Sequence, residues 1–578
     1  MLFEQLNRVE RWLFDGLSLA LVLFYSYSAV IAPAATQYHR GIYVLITYIL
    51  VFLLYKSGNN LLRVLDYVLM ALAAFSVGYW MMNFEVINYR AGAETDFDMA
   101  VAVVGVLIGI EVARRVVGIV FVILGSLMLI YGVYGDYAPE LIAHAGDTFP
   151  GLATSIFYKS DGVFGIMANV MATYIILFVI FGAFLEKSGA QKFFIDFPLA
   201  AVGHKVGGPG KVAVIASGLF GSISGSAIAN TVSTGAFTIP MMKRAGFKPH
   251  IAGAIEPAAS IGGMFMPPIM GAGGFIMAEL TGVPYSQIML VAVFPALMYF
   301  FSVFVMVHYE AKRHNIRGDK SDIPAMQVLK SEWFYILPLV VITVFMLTGY
   351  SPGYSAILGV VACIAISWVR RETRIDLKGF VDASRAGAES GLKIGATVGV
   401  IGIIIGVLTY SGLILTFADI IIELADGRLF LTILLIALAS LVLGMGVPVT
   451  AAYLITAVVA VPALTHLGVN EIAAHMIVYW LSQDSNITPP VCIAAFAGAT
   501  IAKANMWKTA FSAFKFAKFL YLAPFLFGYV PAFSLNGSAS DIVIAFVLIA
   551  IGTFAYAWFL SGVWLGTPKS AASKAAAE

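Results

Sequence analysis

Polar side chains stand at four places where this chain is otherwise apolar, and their types suit the handling of ions and small anions. The stretch GSISGSAIAN, residues 221–230, offers the hydroxyls of Ser224 and Ser226 and the amide of Asn230. AGAIEPAAS carries Glu256 directly before Pro257, with Ser260 one turn on. LGMGVPVT, residues 443–450, offers only Thr450 and the backbone around Gly446. SQDSNITPP, residues 482–490, brings Asp484, Ser485, Asn486 and Thr488 together. A helix broken inside hydrocarbon leaves backbone carbonyls and amides unpaired, at several kcal/mol each unless something binds them. A desolvated Na⁺ takes the carbonyls, and an anionic substrate takes the amides at half-helix N-termini. Ser224, Asn230, Gly446 and Thr450 are thus candidates for a Na⁺ site at two tips. Close helix packing through small residues is the plainer reading of the same tips. Glu256 reads either as a protonatable coupling group or as a cap for amides freed by Pro257. Asp484 reads as a ligand or as part of a buried polar network, since an ionised carboxylate at that depth must be paired, hydrated or neutralised.

These places are related by a repeat. Pro240 answers Pro462, Gly246 answers Gly468, and Pro267-Pro268 answers Pro489-Pro490, always 222 residues later. Each copy holds a Gly/Ser/Pro-rich interruption followed at a fixed distance by a Pro-Pro break. Paired interruptions in two halves are the sequence mark of a secondary-transporter binding site.

The elements that carry them must cross a membrane. The 578 residues are 60% hydrophobic and 11% charged, too apolar for a water-soluble fold, so an all-α polytopic membrane protein is expected. Single crossings are expected near 12–32, 40–56, 64–83, 97–115, 117–135, 165–187, 285–308, 333–350, 354–370, 391–411, 509–531 and 541–563. Broken crossings fall at 250–279 and 471–500, and re-entrant hairpins at 187–250 and 430–465. Loop 136–162 and segment 372–390 read as helices lying along the two membrane surfaces. An Ala/Ser/Lys tail follows the last helix. The first apolar run lacks a convincing cleavage pattern and reads as a retained helix.

With these crossings the Lys/Arg clusters, from Arg8/Arg11 through Lys312–Lys320 to Lys503–Lys518, fall on one face. That face is then cytoplasmic, with both termini on it. Arg40, Arg90 and Lys159 are the exceptions. Segments 187–211 and 243–248 hold seven Lys or Arg, whereas the equivalent 409–433 and 465–470 hold only Arg428. The first hairpin should therefore open to the cytoplasm and the second to the outside, making the repeats inverted. The expected organisation is a small four-helix region (1–116), a first repeat with hairpin 1 (117–310) and a linker with connecting helix (311–353). A second repeat with hairpin 2 (354–531) and a last helix with tail (532–578) complete it.

The motifs SGSAIANTVSTGAFTIPMMKRAGF, AGAIEPAASIGGMFMPPIMGAGGFIMAELTGVPY, ITPPV and FGAFLEKSGAQKFFIDF resemble the fused membrane permease of TRAP transporters, and within that family the TAXI subgroup. The resemblance covers about residues 10–530. It implies a small four-helix subunit fused ahead of an elevator-type subunit, in a bacterial or archaeal inner membrane. It also implies a periplasmic TAXI-type substrate-binding protein as partner, a small organic acid as substrate, and a Na⁺ or H⁺ gradient in place of ATP. Met264 stands where the subgroup usually has Gln, and Asn486, 222 residues on, stands where a small apolar residue is usual.

Other classes fit poorly. No GxxxxGK[ST] loop occurs, which argues against an ATP-driven pump. An intramembrane aspartyl protease using Asp484 would need a second Asp in a GxGD context, which is absent. A stand-alone ion/dicarboxylate symporter is the alternative within the transporter class. No cofactor or nucleic acid is expected, and membrane lipid is the surrounding partner. No histidines or cysteines are spaced for a metal; Cys363 and Cys492 read as packing residues. Between Val206 and Pro295 the only cations are Lys211, Lys243, Arg244 and Lys248, all at the cytoplasmic edge, so no arginine clamp is available for a carboxylate.

Overall fold

The computed structural model describes residues 2–58, 60–319, 323–562 and 564. The expected C-terminal tail and Lys320 lie outside them. Every regular element among the described residues is helical; the sole extended pairing there is an isolated bridge between Val206 and Arg317. Among the described residues, ten helices are long and apolar enough to cross a membrane. Two expected crossings are shorter than foreseen: Ile119–Val133 has 15 residues and Pro352–Ser367 has 16. At about 1.5 Å per residue neither reaches the roughly 30 Å of a hydrocarbon core. Gly118 (φ 112°) stops the first from being continued backwards, and Pro352 opens the second behind its Ser351 cap.

The chain divides into two compact units. The first comprises Met1–Ser188, Ala272–Ser286 and Pro338–Glu471, and the second Gly189–Gly271, Gln287–Leu337 and Ile472–Glu578.

In the first unit, the opening helix Arg8–Val30 starts at a capping box, with Asn7 and Glu10 exchanging hydrogen bonds. Glu10 then reaches Arg63 at 2.6 Å; Arg63 pairs with Asp66 at 3.0 Å, and Asp66 with Arg115 at 2.6 Å. Arg115 also takes Glu111 at 2.8 Å. The Glu111–Arg115 pair expected at a helix end is therefore the outer link of a network joining three helices.

Two surface-helix expectations change in detail. In 136–162 only Phe149–Tyr158 forms an α-helix, and it is drawn inward: Leu152, Ala153, Ile156 and Phe157 are buried, and the Tyr158 hydroxyl donates to the Asp98 carbonyl at 2.8 Å. Segment 372–390 belongs to a 19-residue helix, Leu377–Gly395, that runs almost directly into Val398–Tyr410. Its small residues at four-residue spacing, Gly379, Ala383, Gly387, Gly391 and Gly395, face inward. A Cβ on Gly387 would lie 3.0 Å from the Cα of Ile180, so only glycine permits that approach to Ile176–Lys187. Close contact with that neighbouring helix fixes this segment.

The repeat extends to the helix boundaries. Ala227–Arg244 in the first copy and Val449–His466 in the second correspond residue for residue at the 222 offset, each with its internal proline. Gly246 (φ 105°) matches Gly468 (φ 85°), and Met270 (φ 57°) matches Cys492 (φ 49°). A left-handed non-glycine residue is uncommon. Two at equivalent positions, each just after its Pro-Pro pair, mark the same chain reversal.

The second hairpin, Leu429–Leu443 and Val449–His466, belongs to the first unit; its tip turns at Gly446 (φ 85°), and Thr450 is half-buried at the start of the returning arm.

Candidate functional site

In the second unit, hairpin 1 consists of Gly208–Ser224 and Ala227–Arg244, joined by Gly225 in the left-handed region (φ 63°). It packs on the half-helix Pro249–Gly262, which in turn packs on Ile493–Ala502. Glycine pairs set both spacings. A Cβ on Gly263 would lie 2.4 Å from the Gly221 Cα, and one on Gly498 would lie 2.2 Å from the Gly253 carbonyl oxygen. The small residues of both stretches therefore do serve close packing, and that packing brings polar side chains into one buried cluster.

Glu256 lies at its centre with no exposed surface. Its Oε1 accepts hydrogen bonds from Ser217 of the first hairpin arm and Thr234 of the second, and its Oε2 accepts from Thr238. The Ser217 and Thr234 hydroxyls also meet each other at 3.0 Å. Gly235 makes room: a Cβ there would come within 3.0 Å of the Glu256 Cγ. Hydroxyls from the hairpin, and not backbone amides freed by Pro257, thus satisfy the carboxylate.

The tip residues divide by role. Ser226 caps the returning arm, accepting from the Ala229 amide at 3.3 Å. Asn230, fully buried, donates across the hairpin to the Ser217 carbonyl at 2.9 Å. Ser224 is half-buried, and its hydroxyl reaches only the Ser226 carbonyl at 3.4 Å.

A second polar group forms where the later broken helix ends. Glu471–Ser482 gives way to a single turn, Asp484–Asn486, and Asp484, Ser485 and Asn486 are all buried. The Asp484 carbonyl accepts from the amides of Ile487 (3.0 Å) and Thr488 (2.7 Å). Its side-chain Oδ1 has no hydrogen-bond partner, nor does the buried Gln483 Nε2. The Asn486 amide reaches Gln483 Oε1 at 3.4 Å, and the Thr488 hydroxyl meets that of Tyr521. Tyr479 braces the other break, donating to the carbonyls of Met264 (2.7 Å) and Met270 (2.5 Å). Met264 itself is buried, and a Cβ on Gly271 would lie 2.8 Å from its terminal methyl carbon.

Ser217, Thr234, Thr238, Gln483 and Tyr479 are functional candidates that the motifs alone did not single out. A signal for two of them was present: Asn230, Thr234 and Thr238 recur every fourth residue on one helix face.

Broken, paired helices around buried polar groups, with only helices as regular elements and ten candidate spans among the described residues, define a polytopic membrane transporter. The family model for the DctM component of the tripartite ATP-independent periplasmic transporters matches residues 104–533. The chain belongs to this family. It is 24% identical over 406 residues to the C4-dicarboxylate TRAP transporter large permease protein of Pseudomonas aeruginosa, covering 67% of this chain and 92% of that one. It is 24% identical over 359 residues to the 2,3-diketo-L-gulonate TRAP transporter large permease protein of Escherichia coli, covering 61% and 83%. It is 24% identical over 355 residues to the sialic acid TRAP transporter large permease protein of Vibrio cholerae, covering 60% and 80%.

Proposed function

We propose that this chain is a TAXI-type permease that takes a small organic acid from a periplasmic binding protein and imports it, driven by a Na⁺ or H⁺ gradient. The observation that carries this reading is the buried polar group in the second unit. Gln483 Nε2 and Asp484 Oδ1 lack partners beside a helix break, in a chain of a transporter family. Unpartnered donors and acceptors at membrane depth are costly, and a bound substrate or ion would satisfy them. The relatives' names, a C4-dicarboxylate, a diketogulonate and sialic acid, support a carboxylate substrate. The TAXI assignment, the fusion of a four-helix subunit (1–116) to the larger permease, and elevator movement of inverted repeats belong to the same proposal. So does an inner-membrane topology with both termini cytoplasmic.

Uptake into proteoliposomes tests the function: transport should require the binding protein even when an ion gradient is imposed. Robust uptake by the permease alone would overturn the tripartite reading. Single-cysteine labelling in a Cys363/Cys492-free background tests the topology. Gly207 and Gly318 should label from the cytoplasm, and Gly427 and Tyr137 from the periplasm. Labelling of Gly207 and Gly427 from one side would exclude the inverted arrangement.

A further inference from the structure

We infer that Glu256 carries the coupling proton, and that Ser217, Thr234 and Thr238 let hairpin 1 hold it in either protonation state. This rests on the proposed ion-driven import and names its ion.

The first argument is charge. A carboxylate with no exposed surface must be neutralised by a cation or by a proton. The charged and titratable groups of every element packed around it are directed elsewhere. Lys211, on the first hairpin arm, points to His308 Nδ1 at 3.0 Å and to the Phe304 ring. Lys243, on the second arm, donates to the Ala502 carbonyl at 2.7 Å, and Arg244 follows it at the end of that arm. His250 sits at the opposite end of the half-helix, towards Lys508 of Met506–Phe516; Lys515 is on that same helix. Ile493–Ala502 carries no titratable side chain. From Tyr285–Arg313, the Tyr299 hydroxyl goes to the Ala258 carbonyl at 2.6 Å. His308, Tyr309, Glu310, Lys312 and Arg313 lie in its last two turns. Among the described residues, none of these contacts the Glu256 carboxylate.

The second argument is donor chemistry. Three hydroxyls lie against the two carboxylate oxygens, and a hydroxyl can donate to a carboxylate or accept from a carboxylic acid.

The third is reversibility. Thr234 Oγ1 has a second acceptor in the Asn230 carbonyl at 2.8 Å, and Thr238 Oγ1 has one in the Thr234 carbonyl at 3.1 Å. With Glu256 ionised, the hydroxyls donate to it. With Glu256 protonated, its O–H donates to the Thr238 oxygen, and Thr238 turns its own proton to the Thr234 carbonyl. Thr234 likewise turns to Asn230. Each state is satisfied without moving a helix, so the cluster can hold the group charged or neutral.

The test uses the full chain with its binding protein in proteoliposomes, under independently imposed Na⁺ and pH gradients. Wild type should accumulate substrate in Na⁺-free buffer under an inward proton gradient. Glu256→Gln, which fixes a neutral group of the same shape, should lose accumulation yet retain measurable substrate exchange. Thr238→Val, which removes one donor to the ionised form, should move the pH midpoint of uptake about one unit higher. That readout would not shift for a merely structural carboxyl, and it serves if Glu256→Gln fails to fold. Concentrative uptake by folded Glu256→Gln, or an unmoved midpoint in Thr238→Val, would overturn the inference and leave the import reading standing. Absence of binding-protein-dependent uptake by wild type under any gradient would instead sink the import reading.

Discussion

Two buried acids show opposite ways of keeping charge inside this molecule. In the first unit, Asp66 has no exposed surface and lies between two guanidinium groups, Arg63 at 3.0 Å and Arg115 at 2.6 Å, with the Ser57 hydroxyl at 2.8 Å. In the second unit, Glu256 is equally buried but is met only by hydroxyls. Cations fix the first acid as a permanent charge, because removing either partner strands the other. Hydroxyls commit the second to no charge state, since each can donate to the acid or accept from it. The difference separates a structural anchor from a group free to change protonation.

The largest effect should follow from breaking the anchor. Asp66→Asn removes the carboxylate that links two buried guanidinium groups, leaving Arg63 only Glu10 and Arg115 only Glu111, and breaking a buried pair costs about 3–5 kcal/mol. Thermal unfolding in detergent should show a marked loss, with uptake per folded molecule preserved. Glu256→Gln should cost no more than about 1 kcal/mol, because a carboxamide finds both donors and acceptors among the same hydroxyls. Equal losses in the two variants would mean that Glu256 is an anchor too.

An intermediate effect is expected at Asn230, which ties the two hairpin arms around the Glu256 cluster. Asn230→Ala removes the cross-arm bond to the Ser217 carbonyl and leaves a buried cavity, and should cost about 2 kcal/mol. Ser226→Ala removes only a helix cap, at about 1 kcal/mol. If Ser226→Ala proved the more damaging of the two, the tip rather than the cross-arm bond would hold the hairpin.

Much of this was legible in the chain, and the reasons for the remainder are specific. Apolar run length placed most of the long membrane helices, and three spaced landmarks gave a repeat that holds to the ends of Ala227–Arg244 and Val449–His466. The tip was recognisable as a break, but ligands, caps and cross-links draw on the same residue types, so Ser226 and Asn230 could not be told apart. Glu256 stood out by its charge. Its partners lie 18 to 39 residues away, joined only by the hairpin's return, and a hydroxyl inside apolar sequence is unremarked until its neighbour is known. In the helix Leu377–Gly395 the glycine stripe that packs on Ile176–Lys187 was not singled out, because small residues at helical spacing show a face without naming its neighbour. Nothing in Met or Cys announces a left-handed backbone, so Met270 and Cys492 were beyond reach.

The smallest expected effect isolates what makes the first-unit anchor strong. Arg428 and Asp426 form an ion pair at 2.9 Å, about the separation of Arg63 and Asp66, yet their side chains are 69% and 76% exposed. Water screens both partners in the free and paired states, and holding two mobile side chains together offsets most of the attraction. The turn beneath them is set independently by Gly427 (φ 64°) and the Gly427 amide bond to the Ile422 carbonyl at 3.0 Å. Arg428→Ala should therefore change stability by less than about 0.5 kcal/mol, with no salt dependence beyond that of wild type. The measurement is the difference in unfolding between Arg428→Ala and Asp66→Asn, made side by side at low and high ionic strength. A loss in Arg428→Ala comparable to that in Asp66→Asn would show that separation, not burial, sets the worth of these pairs. The contrast between the two buried acids would then have to rest on distance alone.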